Sequence, residues 1–585
     1  MKKFILIFSF IILQANAPFQ QQELIAPEPP SGFQYKPHLE AQNYMVVSAH
    51  RLATEAGYKI LQKGGNAVDA AIATQLVLNV VEPHASGIGG GGFLVYYDHK
   101  KKRSKYYDGR ETAPANIKTD LFLDEQGREK DFREVLHGGI SVGTPGLLKL
   151  LYQAHLEHGK LPWFELFSDA IDTASLGFYV SPRLNEVMYY APHLAEFTAS
   201  KDLYLDEKSR PKVANTFIKN PELAQSFRNI AINGIEDFYR GKLAKEIVKT
   251  VRNTKQNPGY LTVADLENYQ INTGGLLCSK YRKYKVCSVP MPSSGGATLL
   301  QILGILENFD LSQMEFDSLE AIHLVSEAMR LAYADRNKYM ADDKFVNVPL
   351  KKLLSKSYLK ERSYLINVDA ALLNVKPGDL ARLPQEYAYH ESIFEPPSTT
   401  HLSIVDGEGN AVALTSSIEY AFGSGVMVGG FLLNNQLTDF AFKQEKNGLP
   451  IANRIEPGKR PRSSMAPTMV FDEKGRLVMI LGSPGGARII SYLTKTILAV
   501  LDWNMPLDEA VNLPNYNKMG ASLELEKKSY IEDYRNSLEQ IGHNVAIKDL
   551  TSGLHGIYID QPDGEQPRRI VAGVDKRREG VALGD

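Results

Sequence analysis

The run Ser398-Thr399-Thr400-His401 is where residue types and spacing first suggest chemistry. Pro396 and Pro397 hold the approach extended. His401 to Val405 alternates polar and apolar, Asp406 to Asn410 is a turn cluster, and Ala411 to Thr415 predicts a second strand. Thr399 therefore stands at the mouth of a hairpin. Two readings stay open on these residues alone. Threonine favours strands and closes local turns, which needs no reactivity. Alternatively the chain is cut between Ser398 and Thr399. A cut there puts a hydroxyl and a free α-amine on one residue. An α-amine has an ordinary pKa of about 7.7–8.0 and can act as a base near neutral pH. Threonine with its own N-terminal amine is a recognised nucleophile–base pair.

Other groups could serve such a nucleophile. Arg110 follows a predicted strand, Ser104 to Asp108, and a guanidinium can grip a carboxylate bidentately. A solvated surface arginine is the alternative. Gly485 and Gly486 lie between a predicted strand, Leu477 to Leu481, and a predicted helix, Ala487 to Leu501. Free N–H groups at a helix start can form an oxyanion hole, or the pair can be a tight turn. Asp439 closes a polar cluster that follows an apolar strand. Gly87, Gly89 and Gly92 match a dinucleotide fingerprint, but the strand Phe93 to Asp98 follows them, which rejects it. Ser357-x-x-Lys360 lacks its companion motifs and reads as a helix face.

The elements that must position these groups form an ordinary globular pattern, 43% hydrophobic and 23% charged over 585 residues. Net charge is 66 − 68 = −2, which argues against a nucleic-acid partner. Lys2 and Lys3, the apolar run Phe4 to Leu13, and Ala15-Asn16-Ala17 predict a signal peptide over 1–17. The expectation is an exported protein, periplasmic or secreted, with no membrane span once processed; an uncleaved anchor is the alternative. Cys278 and Cys287 flank a hairpin-like run and are either paired or two buried thiols. Two cysteines and no His-Glu-x-x-His pattern predict no metal site. Helices are expected over 52–64, from 66 to 74, over 316–340 and over 350–366. Residues 367–398 lose periodicity and read as an exposed linker, accessible for cutting. No clean boundary separates domains, and strands on both sides of residue 399 can share one sheet system.

Together these stretches resemble the gamma-glutamyltranspeptidase family of N-terminal nucleophile hydrolases. The elements run in family order: Gly64-Gly65-Asn66-Ala67-Val68-Asp69-Ala70-Ala71, Gly89 to Phe93, Arg110-Glu111-Thr112-Ala113-Pro114, Pro292-Ser293-Ser294-Gly295-Gly296, and Tyr333-Ala334-Asp335-Arg336. Thr399-Thr400-His401, Leu433-Asn434-Asn435, Ser463-Ser464-Met465-Ala466-Pro467, Gly482 to Gly486 and the ending Asp575 to Gly580 follow. The resemblance implies an α+β fold, a four-layer αββα sandwich. It implies self-cleavage between Ser398 and Thr399 into a large chain, 18–398, and a small chain, 399–585, that stay together as a heterodimer.

Roles carry over by position. Thr399 resembles the nucleophile, Gly485 and Gly486 the oxyanion-hole amides, and Ser417 a family Thr that hydrogen-bonds the nucleophile. Arg110, helped by Ser463 and Ser464, would hold the glutamyl α-carboxylate. Asp439, with Gln436 nearby, would hold the α-ammonium, and Glu419 could also face it. Thr400 reads as support. The implied activity is γ-glutamyl transfer and glutathione hydrolysis, with water, amino acids or dipeptides as acceptors and no cofactor. The segment Phe440 to Arg462, resembling a substrate-covering lid, is short. A related cephalosporin (glutaryl) acylase and a non-catalytic secreted binding protein are the alternatives. Glutaryl has no ammonium, so Asp439 and Glu419 favour glutamyl donors.

Overall fold

The computed structural model describes residues 30–380, 385–390, 398–561 and 567–585. The expected leader over 1–17 and the extended approach at Pro396 and Pro397 lie outside these residues. Two seven-stranded antiparallel sheets form the centre. The first runs Val581–Gly584, Met45–Ser48, Thr400–Val405, Ala411–Ser417, Gly91–Asp98, Arg103–Asp108, Asn272–Gly274. The second runs Glu40–Ala41, Arg569–Val574, His555–Asp560, Leu477–Gly482, Thr468–Phe471, Tyr284–Ser288, Leu277–Tyr281. Both sheets draw strands from before and after residue 399, as the sequence suggested.

Alternation sets the layers. Val46, Leu94, Leu402, Ile404, Val412 and Leu414 pack with helices Arg51–Gln62 and Ala67–Val81 on the outer face of the first sheet. Val47, Val95, Val405 and Ala413 point the other way and share a core with Met469, Met479, Ile480 and Ile557 of the second sheet. Helices Ser294–Leu306, Leu319–Tyr339 and Ile489–Leu501 belong to that same core. The result is the αββα sandwich. Being covered on both faces, Thr400–Val405 is buried at every residue.

Local chemistry starts and stops the elements. Asn66 and Asp69 form a reciprocal capping box on the apolar helix Ala67–Val81. Asp406, in the turn after the Thr400 strand, accepts hydrogen bonds from the Glu408 and Asn410 amides and from the Ala67 amide at the start of that helix. One carboxylate thus closes the hairpin and ties it to the layer above. Cys278 and Cys287 face each other across paired strands and are disulfide-bonded, which resolves the sequence alternatives. Among the described residues, no helix is long and apolar enough to cross a membrane.

Three expectations need correction. The helix expected over 350–366 is two, Leu350–Leu353 and Lys356–Ser363, because Ser355 turns extended (φ −73°, ψ 139°). The helix expected from Ala487 begins with a 3-10 turn, Gly486–Arg488, and becomes α-helical at Ile489. The linker expected to be exposed is not uniformly so: Ala371, Leu380, Tyr387, Ala388 and Ser398 are buried. A bond cut by its own neighbour needs no outside access, so burial at the junction is compatible with cleavage.

The two sheets meet through a side chain that demands a glycine. The His401 ring hydrogen-bonds Thr415 (2.8 Å) and Ser403 (3.1 Å) and covers Gly482, where a Cβ would fall 2.1 Å from it. Gly482→Ala is expected to cost about 1–3 kcal/mol through overpacking, read as a lowered midpoint in urea denaturation. An unchanged midpoint would show that this contact does not constrain the sheets.

Candidate functional site

Thr399 is fixed by the strand that follows it. Thr400 pairs with Ser416 and Leu402 with Ser48, so the ladder brings Thr399 to the end of strand Ala411–Ser417. There its hydroxyl donates to the carbonyl oxygen of Ser398, the residue whose C–N bond to Thr399 is expected to break, and lies 3.3 Å from the Ser417 hydroxyl. Ser417 donates to the same carbonyl (2.9 Å) and accepts the Glu419 amide (2.9 Å). An amide held on the Ser417 oxygen turns its proton toward the Ser398 carbonyl. That is the geometry needed to stabilise charge growing on that oxygen.

A small cavity opens at this point. Arg110, Ser398, Thr399, Ser417, Glu419, Gln436, Asp439, Ser463, Ser464 and Gly486 line it together with Met465 and Ile489. Every site residue expected from sequence is among these except Gly485, which immediately precedes Gly486. The backbone there is left-handed at both glycines, φ +137° and +56°. A side chain at Gly485 would also come within 2.7 Å of the Tyr492 ring. Only glycine tolerates both demands.

The charges are arranged around one guanidinium. Arg110 is 1% exposed and donates to Asp439 (2.5 Å) and to the Arg462 (3.0 Å) and Pro461 (3.2 Å) carbonyls. Gln436 donates to the same Asp439 oxygen (2.6 Å). The cation and anion expected to meet opposite ends of a substrate are therefore bonded to each other. Glu419 is buried at a left-handed backbone (φ +80°), a costly conformation for a residue with a side chain. Neither of its carboxylate oxygens has a hydrogen-bond partner, and the nearby Thr438 hydroxyl donates to Asn435 instead. Burial, then the Asp439 charge, push its pKa well above the usual carboxylate range.

Sequence reading missed two carboxylates beside the site. Glu111 is fully buried, 3.8 Å from the Arg110 guanidinium, with no hydrogen bond to either oxygen. Burial raises its pKa to about 8. In the sequence it stands inside the run Arg110 to Pro114, with nothing there to announce its burial or its protonation. Glu82 accepts the Thr400 hydroxyl (2.7 Å), which gives Thr400 its supporting contact. An acidic residue directly ending the buried helix Ala67–Val81 was its signal. Apart from this site, His323, Glu327 and His543 lie close enough to hold a metal ion. The Lys518 ammonium already sits among them, 2.5 Å from Glu327 and 2.7 Å from His543.

The family model for gamma-glutamyltranspeptidase matches residues 53–585. The chain belongs to the gamma-glutamyltranspeptidase family. The glutathione hydrolase proenzyme of Bacillus subtilis strain 168 is 38% identical, over 99% of this chain and 97% of its own. A gamma-glutamyltranspeptidase structure from Helicobacter pylori is 35% identical over 58% of this chain and 97% of its own, with a TM-score of 0.55. A cephalosporin acylase structure from Bacillus halodurans superposes with a TM-score of 0.82 over 94% of this chain and 97% of its own, at 25% identity.

In this gamma-glutamyltranspeptidase-family chain, Glu111 gives a pH signature. Its carboxyl holds a proton in the folded state between its ordinary 4.5 and about 8, whereas the unfolded chain releases it. The unfolded state then binds fewer protons, so this residue's contribution to stability falls as pH rises through that window. The melting temperature of Glu111→Gln, relative to the parent, should therefore climb from pH 4.5 to pH 8. A constant difference across that range would rule out a neutral Glu111.

Proposed function

We propose that the chain severs its own Ser398–Thr399 bond and that Thr399, so freed, becomes the acyl carrier. The protein is an enzyme that hydrolyses and transfers γ-glutamyl groups. The observation behind the proposal is the hydroxyl of Thr399 lying against the Ser398 carbonyl, with Ser417 donating to the same oxygen.

Attack of the Thr399 oxygen on the Ser398 carbonyl carbon forms an ester and breaks the C–N bond. The departing nitrogen takes a proton and becomes the Thr399 α-amine. Water then hydrolyses the ester and restores the hydroxyl. That hydroxyl now has a base on its own residue. The two chains, 18–398 and 399–585, remain together because Thr400–Val405 is hydrogen-bonded to Met45–Ser48 on one side. Ala411–Ser417, from the small chain, is in turn paired with Gly91–Asp98.

A γ-glutamyl donor carries a carboxylate and an ammonium on its α-carbon. Arg110 with Ser463 and Ser464 takes the first, and Asp439 with Glu419 takes the second. The donor inserts its two charges between groups that otherwise pair with each other. A lone anion or lone cation would leave one of them unmatched in a buried site, which is costly. Fixing both charges delivers the γ-carbonyl to Thr399 and makes attack effectively intramolecular. Gly485 and Gly486 receive the oxyanion. The glutamyl ester then passes to water or to the amine of an amino acid or dipeptide. Glutathione is the donor suggested by the relatives' names. The acylase reading is disfavoured because glutaryl offers Asp439 and Glu419 no cation. Export is supported by the leader-like residues 1–17 and by the Cys278–Cys287 disulfide, a bond of oxidising compartments.

Thr399→Ala should stay one chain on a denaturing gel and show no turnover of γ-glutamyl-p-nitroanilide. Mass spectrometry of the parent should place the new N-terminus at Thr399, and an active but uncut parent would overturn the proposal. An ammonium favours the charged form of Glu419, so donor binding should release a proton. The parent's KM should fall as pH rises above the ordinary carboxylate range, and Glu419→Gln should flatten that slope; equal slopes would exclude Glu419 from the ammonium site.

A further inference from the structure

One helix from the large-chain side reaches two loops of the small-chain side. Helix Leu319–Tyr339 is N-capped by the Ser318 hydroxyl and buried along most of its length. Tyr333 and Arg336 lie three residues apart and so share a face. Each is 1% exposed. The Tyr333 hydroxyl donates to the carbonyl of Ala487 (2.6 Å), the residue after Gly485 and Gly486. Arg336 donates from Nη2 to the Ser464 hydroxyl (2.7 Å) and from Nε to the Ser294 hydroxyl (2.8 Å). Ser294 in turn donates to the Ser463 carbonyl (2.7 Å). The fork therefore spans both cavity serines, one directly and one through Ser294.

We propose that Tyr333 and Arg336 are positioning residues for the γ-glutamyl reaction. Tyr333 sets the oxyanion turn, and Arg336 sets the serine pair that receives the donor carboxylate. The proposal rests on the reading of the cavity as a γ-glutamyl site.

The physical reasoning differs for the two. A hydroxyl oxygen that receives an N–H must aim its own proton elsewhere, so Arg336 turns the Ser464 proton away from itself. A guanidinium cannot be deprotonated in a protein, so a permanent charge also stands one hydroxyl behind the anion site. Arg336 thus adds to the attraction of Arg110 without touching the donor. Lysine cannot copy this, because a point ammonium lacks the rigid fork that meets Ser294 and Ser464 together. Tyr333 acts on backbone. The glycines of the turn have no side chains to hold them, and the Ala487 carbonyl is the grip available to a neighbouring helix. Tilting the Ala487–Arg488 peptide strains the tight turn immediately before it and so shifts the Gly485 and Gly486 amides that must point at the oxyanion, where catalysis is most sensitive to geometry.

The test separates the two roles by kinetics. Tyr333→Phe, Arg336→Lys and the parent are compared on γ-glutamyl-p-nitroanilide and on γ-aminobutyryl-p-nitroanilide, which lacks the α-carboxylate. Self-cleavage on a denaturing gel is followed in parallel. Tyr333→Phe should lower kcat about tenfold on both substrates with KM within about twofold, the pattern of a lost transition-state interaction. Arg336→Lys should raise KM about tenfold on the glutamyl donor only, with kcat nearly unchanged. Combining Arg336→Lys with Ser464→Ala should add little to either single change. If Arg336→Lys fails to self-cleave, Ser294→Ala serves instead, with a smaller rise of KM on the glutamyl donor alone. Equal losses on both substrates, or parental kinetics, would overturn the assignment of Arg336; an unchanged kcat would overturn that of Tyr333. A parent enzyme with no glutamyl turnover would instead remove the reading on which the proposal rests.

Discussion

The structure depends on the register of one buried strand. Thr400–Val405 is held on both edges and covered on both faces, so it has no freedom to slide. A slip of one residue would exchange Leu402 and Ile404, packed under the helices, with His401 and Ser403, which face the second sheet. That would bury polar groups among apolar helices and set apolar side chains against Thr415 and the His555 carbonyl, which His401 and Ser403 otherwise satisfy. The same register carries Thr399 to the end of Ala411–Ser417, where Ser417 meets the Ser398 carbonyl. The placement of the reactive hydroxyl is thus a by-product of hydrophobic alternation. No separate device is needed to aim it.

Around that hydroxyl the protein solves a second problem, how to keep charge in a dry place. Arg110 is satisfied by Asp439 and two carbonyls, and Asp439 by Arg110 and Gln436. Glu111 and Glu419 accept no hydrogen bond, Glu111 having only the Arg110 guanidinium 3.8 Å away, and burial drives both toward the neutral form. Full ionisation of Glu111, Glu419 and Asp439 around one guanidinium would leave an excess of negative charge in low dielectric. Protonation lowers that cost. It also makes Glu419 responsive to any cation that enters, because its ionisation depends on what stands opposite.

Much of this was legible in the sequence, for identifiable reasons. The hairpin at 400–417 shows in its alternation and in its Asp-Gly-Glu-Gly-Asn turn. The start of the helix Ala67–Val81 shows in its alanine-rich, nearly continuous apolar composition. Motifs such as Ser463-Ser464 and Gly485-Gly486 are local, and short-range geometry keeps them intact. What was not legible depends on contacts across long stretches of chain. Burial of Glu111 follows from the fold, and nothing in its neighbours announces it. The pairing of Arg110 with Asp439 joins residues 329 apart in sequence. The break at Ser355 was hidden because lysines and leucines on either side favour helix equally. The burial of Ser398 was missed because proline-rich, aperiodic sequence usually means surface.

The histidines between the sheets have a consequence for how such sequences can drift. The His401 ring occupies the volume a side chain on Gly482 would need, and the His555 ring does the same above Gly580. In each pair an aromatic heterocycle is moulded over a missing methyl. Neither partner can be replaced gradually, since enlarging the glycine collides and shrinking the imidazole leaves a void. Descendants that abandon one member should be found to have replaced the other as well, so each pair evolves as a two-letter word rather than as independent characters.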